Sequence, residues 1–306
     1  MAECLCLNRA ACRTEAVGVT SFLPQADPEA LVDDVAAVGL TVDGVLVVAD
    51  RIGLGDFPPV LGIRLNIPYP DVCKKVWEQV ARDLTAQGVL NVHGEPHPAV
   101  ADMLATLSRP DRTLEGRWWR RSLDGEMTRF VICRRGDRHV IAARHGELVV
   151  LQRVAGRVGL AGMVTAVLGP GQPADVEPLT ALASALAHCR TADQLSQFDI
   201  GLLSARTYAA LIDQPAGWSE IIATQRHSGG TVTRTDAAAG VLDGTQGRIV
   251  SIPRRVNGDL YGSFLPGTGE NLQRALDGLM EFLPAGCWVE HPDAAGGFYG
   301  TGSGAP

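Results

Sequence analysis

The chain has 306 residues, 46% hydrophobic and 20% charged, with a formal net charge of −7. That is the make-up of a water-soluble globular protein large enough for one big domain or two smaller ones, and no run approaches the ~18 consecutive apolar residues of a membrane span. The opening MAECLCLNRAAC has neither the basic stretch nor the apolar stretch of a secretory signal, so a cytoplasmic location is expected.

In chain order, residues 1–38 show no sustained period and read as a flexible leader. TVDGVLVVADR, from Thr41 to Arg51, is rich in valine and reads as a strand. A helix is expected over 71–87, with Val72, Val76, Val80 and Leu84 four apart, Asp71 as cap and Gly88 as stop. A second helix starts at Pro98, places Val100, Met103, Leu104 and Leu107 on one face and ends before Pro110. Four strands follow in a meander from Thr113 to Val154, with Asp-Gly, Gly-Asp and His-Gly in the breaks. A Gly-rich helix is expected over 158–168.

The pattern then repeats. Helices are expected at 175–188, 192–198 and 204–212, followed by a second four-strand meander: GWSEIIATQRH, TVTRTDAAAGVLDG, GRIVSIPRRV and DLYGSFLPG. A closing helix runs from Gly269 to Leu283, and residues 291–306 read as a flexible tail. The expected fold is therefore α+β: one domain over 39–290 made of two pseudo-symmetric halves, about 39–168 and 169–290, each an antiparallel β meander with associated helices.

Chemistry is harder to find. His93 and His97 lie four apart, but Pro96 between them breaks a shared helix face, so a solvated loop is the better reading and no metal site is expected. Seven scattered cysteines with no framework spacing read as reduced thiols. No lysine lies in a glycine-rich loop, no G-x-S-x-G elbow occurs and no carboxylate pair stands out, so neither a catalytic residue nor a cofactor is expected. Residues 109–157 hold 12 Arg against 6 Asp or Glu. That patch lies on an acidic protein and lacks the aromatic pattern of an RNA-binding sheet, so nucleic acid is not expected as a partner, nor is membrane insertion.

One segment has the composition of a protein interface. In RWWRRS, alternation sends Leu114, Gly116, Trp118 and Arg120 to one face of a strand and Glu115, Arg117, Trp119 and Arg121 to the other. Trp118 is then core. Trp119 stands among charged neighbours, either as an anchor for a partner or as a ring covered by the chain's own helices with an arginine stacked on it. The hairpin that follows carries Leu123, Asp124 and Glu126.

The run LTVDGVLVVADRIGLGDFPPVLGIR, then DLTAQGVL, PHPAVADML, RPDRTLEGRW and CRRGDRHVIAAR, and later GWSEIIATQRH, TDAAAGVLDG, GRIVSIPRRV, LYGSFLPGT and LPAGCW, resemble the EspG family. These are cytosolic chaperones of mycobacterial type VII (ESX) secretion, and the likeness extends over roughly Leu40 to Trp288. The resemblance implies pseudo-two-fold halves and a role in binding the helical tip of a PPE protein within its PE–PPE heterodimer. Such binding would keep the pair soluble and export-competent for one ESX system. It also implies contact with the ESX machinery, and the chain looks nearest the branch serving the virulence-associated ESX locus. Family binding surfaces fall here on Arg117 to Arg121, including Trp119, on the hairpin Ser122 to Glu126, and on helices within Asp175 to Ile212. The implied partner-binding residues are thus Arg117, Trp119, Arg121, Leu123, Asp124 and Glu126. The alternatives are a small-molecule enzyme with a site in the cleft between the halves and a structural protein that self-associates through strand edges.

Overall fold

The computed structural model describes residues 36–289 except 124, 125 and 156; the expected leader, apart from its last residues, and the expected tail lie outside the described residues. The first half runs β1 (Ala37–Thr41), α1 (Val42–Arg51), α2 (Pro70–Ala86), α3 (Pro98–Ser108), then the meander β2 (Arg112–Arg120), β3 (Met127–Arg135), β4 (Arg138–His145) and β5 (Leu148–Val154), closed by α4 (Leu160–Leu168). The second runs β6 (Leu179–Leu182), α5 (Ala183–Leu186), α6 (Ala192–Leu195), α7 (Leu202–Asp213), β7 (Gly217–Arg226), β8 (Val232–Arg234), β9 (Ala239–Gly244), β10 (Gly247–Val256), β11 (Asp259–Pro266) and α8 (Gly269–Met280).

The two meanders fuse into one antiparallel sheet in the order β1-β5-β4-β3-β2-β7-β9-β10-β11-β6, with β8 beside β7. That order is nearly palindromic. In each half the strand opening the repeat, β1 or β6, turns back to pair with the last meander strand, β5 or β11. The first meander strands, β2 and β7, pair at the centre from Arg112 opposite Gln225 to Arg120 opposite Gly217. The halves are thus joined by a continuous hydrogen-bonded ladder, not separated by a cleft.

Alternation along the strands builds a core on each face of the sheet. On one face α4 and α8 pack over Leu114, Trp118, Phe130, Ile132, Ile221, Val241 and Val250. The opposite face has two cores. Helices α1 and α3 cover Val131, Cys133, Val140 and Leu151 of the first half, while α6 and α7 cover Leu179 and Ile249 of the second. Buried Leu104 and Leu107 of α3 contribute roughly 1.5–3 kcal/mol each on leaving water. The phenol of Tyr208 in α7 donates to the carbonyls of Glu177 (2.8 Å) and Phe264 (3.1 Å), fastening the second bundle to β11.

Several expectations need correction. Residues 42–51 are helix, not strand: Thr41 caps them by accepting from the Gly44 amide at 3.0 Å, and Val42, Val45 and Val48 are buried at helical spacing. The strand is the preceding segment, β1, because a short apolar run fits either period and the cap decides. The 175–188 segment is not one helix. Residues Leu179–Leu182 alternate buried and exposed as strand β6, and only Ala183–Leu186 coil. The segment 231–244 forms two strands, β8 and β9, instead of one. Helix α2 has its expected span, with Gly88 beyond its end at φ +73°, but it starts on Pro70 without a side-chain cap, and Asp71 is only a first-turn residue. Of its four-apart residues Leu84 alone is buried, while Val72 is exposed.

Candidate partner-binding face

Strand β2 divides as alternation requires. Leu114, Gly116 and Trp118 are buried against the α4 and α8 layer. Gly116 sits opposite Phe130, whose ring lies where a Cβ would stand; a methyl there would be 2.1 Å from Cζ. Trp118 fills the next position inward, and the Arg120 guanidinium rests 4.2 Å from its ring centroid. The arginine-stacked tryptophan is therefore the inward one.

The other face of the central strands carries Glu115, Arg117 and Trp119 from β2 and Trp218, Glu220 and Ile222 from β7. In register, Trp119 is opposite Trp218, Arg117 opposite Glu220, and Glu115 opposite Ile222. Arg117 and Glu220 are exposed, and both tryptophans are half-buried. Neither ring belongs to the three buried clusters among the described residues. Glu115 is half-buried, and burial raises its carboxyl above the ordinary value. The Thr113 hydroxyl at 3.3 Å and the charges of Arg234 and Arg117 work the other way.

At the end of β2 the chain enters a 3-10 turn, Arg121–Leu123, with Arg121 and Ser122 exposed. The Arg121 amide donates to the Ala216 carbonyl at 2.9 Å, which ties the start of this hairpin to the residue before β7. Glu126 is exposed at the start of β3, and its carboxylate lies 3.2 Å from the His145 ring of β4. Asp124 and the side chain of Leu123 lie outside the described residues. Of the expected set, then, Arg117 and Trp119 share one face, whereas Arg121, expected on the same strand face, lies beyond the end of β2 in the 3-10 turn. Glu126 instead turns to the chain's own sheet. Trp218 and Glu220 were missed; applying the same alternation to GWSEIIATQRH would have placed both outward.

Flanking this strip, the second bundle exposes Leu203 and Leu202 at the start of α7, Leu203 at 76%. The His93 to His97 segment, between α2 and α3, is a closed loop. The Asn91 carboxamide oxygen accepts from the amides of His93 and Glu95, and His97 caps α3 by accepting from Ala99 at 3.2 Å. A cavity of about 570 Å³ opens between α1 and α2, lined by Val47, Arg51, Leu65, Cys73 and Trp77. It lies within the first half, and among the described residues no group of three His, Cys, Asp or Glu is placed to hold a metal. No helix among them is long and apolar enough to cross a membrane.

The model described as the EspG family matches residues 41–278. The chain is 67% identical over 259 residues to the ESX-1 secretion-associated protein EspG1 of Mycobacterium tuberculosis, covering 85% of this chain and 92% of that one. With EspG1 of Mycolicibacterium smegmatis it shares 63% over 266 residues, covering 87% and 94%. With the ESX-3 secretion-associated protein EspG3 of Mycolicibacterium smegmatis it shares 30%, covering 82% and 89%. Its fold matches the M. tuberculosis type VII secretion system chaperone EspG5, solved in complex with the PE25-PPE41 dimer, at a TM-score of 0.66 and 18% identity, over 82% of this chain and 98% of that one. Matched by the family's model over most of its length, and nearer in sequence to these ESX-1 members than to the ESX-3 member, the chain belongs to the EspG family.

Proposed function

We propose that the chain is a client-specific chaperone of the ESX-1 system that binds the helical tip of a PPE protein within a PE–PPE heterodimer and keeps the pair soluble for export. It acts in the cytoplasm by binding alone, without catalysis or cofactor. Identity to ESX-1 EspG1 supports the system, and the bound PE25-PPE41 dimer of the fold relative supports the class of client. The observation that carries the reading is the central strip itself. Two tryptophans face each other across β2 and β7 on a part of the sheet that lies between the cores under α1, α3 and α6, α7. Half-buried aromatics with arginine beside them dominate binding energy at protein interfaces. An apolar helical tip is an aggregation hazard until such a surface covers it. Sites on Arg117, Trp119 and Arg121, and on the hairpin from Leu123 through Asp124 to Glu126, belong to this reading.

Co-expression with the PE–PPE pair of the ESX-1 locus, followed by size-exclusion chromatography with light scattering, tests it. A soluble complex with one copy of each chain is expected. A monomer that ignores the pair would overturn the reading.

A further inference from the structure

The face that carries Trp119 also carries a row of arginines, one of which the fold leaves without a partner among the described residues. Arg117 of β2 is opposite Arg129 of β3, and Arg129 is opposite Arg144 of β4, so three guanidinium side chains leave the same face of adjacent strands. Neighbouring strands are roughly 4.8 Å apart, and like charges placed directly opposite are destabilising.

The three are not equivalent. Arg144 is engaged: Nη1 donates to the carbonyls of Leu61 (3.0 Å) and Gly62 (2.6 Å), Nε donates to Gly146 (2.8 Å), and Glu147 lies 3.4 Å from Nη2. Arg117 has the charge of Glu115 along its own strand and is opposite Glu220 of β7. Arg129, the middle one, is exposed and makes no hydrogen bond or ion pair among the described residues.

Its guanidinium lies over Gly62, the residue that ends the 3-10 turn Pro59–Leu61 at φ +59°. A Cβ on Gly62 would stand 2.7 Å from Nη1 of Arg129 and 3.3 Å from Nη1 of Arg144, so two cationic forks converge above that glycine. Two residues along β2 from Arg117 stands Trp119, facing Trp218. The face therefore offers an unspent guanidinium, crowded by other cations, next to an aromatic pair.

We propose that Arg129, with Arg117 beside it, receives a carboxylate from the partner, so that the segment seated on this face carries an acidic side chain bordered by apolar ones. The inference rests on the chaperone reading above and adds the chemistry of what is bound. A carboxylate satisfies the fork of an arginine with two charge-assisted hydrogen bonds and relieves the repulsion along the row. The tryptophans beside it favour a protein segment with apolar side chains over a bare anion.

The test is calorimetric titration of the ESX-1 PE–PPE heterodimer into the wild-type chain and into Arg129→Ala, Arg129→Lys and Arg129→Glu, at low and high salt, with the melting temperature of each variant. Arg129→Ala is expected to lose about tenfold or more in affinity and part of the salt dependence, Arg129→Lys to retain more, and Arg129→Glu to lose most. The melting temperature should stay or rise, since the variants relieve like-charge crowding. Wild-type affinity in Arg129→Ala and Arg129→Glu would overturn the inference and leave the chaperone reading standing. A fall in melting temperature that accounts for the lost binding would also overturn it, by showing Arg129 to be structural. A wild-type chain that fails to bind the pair would remove the chaperone reading and this inference with it.

Discussion

Trp119 and Trp218 stand directly opposite each other across the central strand pair, one from the first strand of each meander. Trp119 is next to last in β2 and Trp218 is second in β7, so the pair lies near one end of the ladder that joins the halves. In the free chain both are half-buried, and the surface they still expose is available to a partner.

The adjacent tryptophans of β2 should have opposite fates. Trp118→Ala is expected to cost about 3–5 kcal/mol of stability, because it empties a buried site against the α4 and α8 layer. Trp119→Ala should cost about 1 kcal/mol or less. Urea unfolding monitored by far-ultraviolet circular dichroism separates them; equal losses would mean that Trp119 also belongs to the core.

Gly116 is required by packing and not by its backbone angles. Gly116→Ala forces a methyl into the Phe130 ring, and overpacking of this kind costs about 1–3 kcal/mol. Pairing it with Phe130→Leu should recover part of that loss. A stable Gly116→Ala single variant would show that the ring can move aside freely.

Stability should decline as the solution is acidified below neutrality. His139 is buried, and its Nε2 accepts the indole N–H of Trp288 at 3.0 Å. Both Arg112 and Arg134 donate to the Trp288 carbonyl, so the C-terminal strap is held by three bonds to the sheet. Burial, chiefly, holds the His139 imidazole below its ordinary value of 6.5, and the Arg134 charge acts in the same direction. As pH falls through 6.5 the unfolded chain takes up a proton that the folded chain refuses. Stability is therefore full above that pH and falls below it, by at most about 1.4 kcal/mol per pH unit. His139→Gln, which can still accept from Trp288, should flatten this part of the urea-midpoint profile. An unchanged slope would remove His139 as its cause.

Arg121 is exposed in the 3-10 turn that follows β2. Arg121→Glu is expected to weaken client binding by about 1 kcal/mol or more, an effect that shrinks as salt is raised. Titrations across a salt series decide this; a loss independent of salt would point to shape and not to charge.

Much of the fold is legible from local pattern. The strands of the first meander, the helix from Pro98 and the opposite phases of Trp118 and Trp119 all follow from period-two and period-3.6 arguments applied to short windows. Valines 42, 45, 47 and 48 mislead because the short apolar run Val45–Ala49 fits a buried strand as well as a helix, and the cap that marks a helix start is one hydroxyl, Thr41. Residues 179–182 become strand only because β11 offers an edge to Leu179 through Leu182, a contact made across 80 residues of chain. The site was half legible for the same reason. Arg117 and Trp119 declare themselves within a single strand, whereas Trp218 and Arg129 acquire their meaning from register with β2, which no local window contains.

The most direct measurement is the affinity of the Trp119→Ala, Trp218→Ala double variant for the ESX-1 PE–PPE heterodimer, with its melting temperature measured alongside. If the central strip is where the client seats, the double variant loses about 2 kcal/mol or more of binding energy while melting close to the wild type. Wild-type affinity in a folded double variant would contradict the account, because the client would then be held somewhere other than the face where the two halves join.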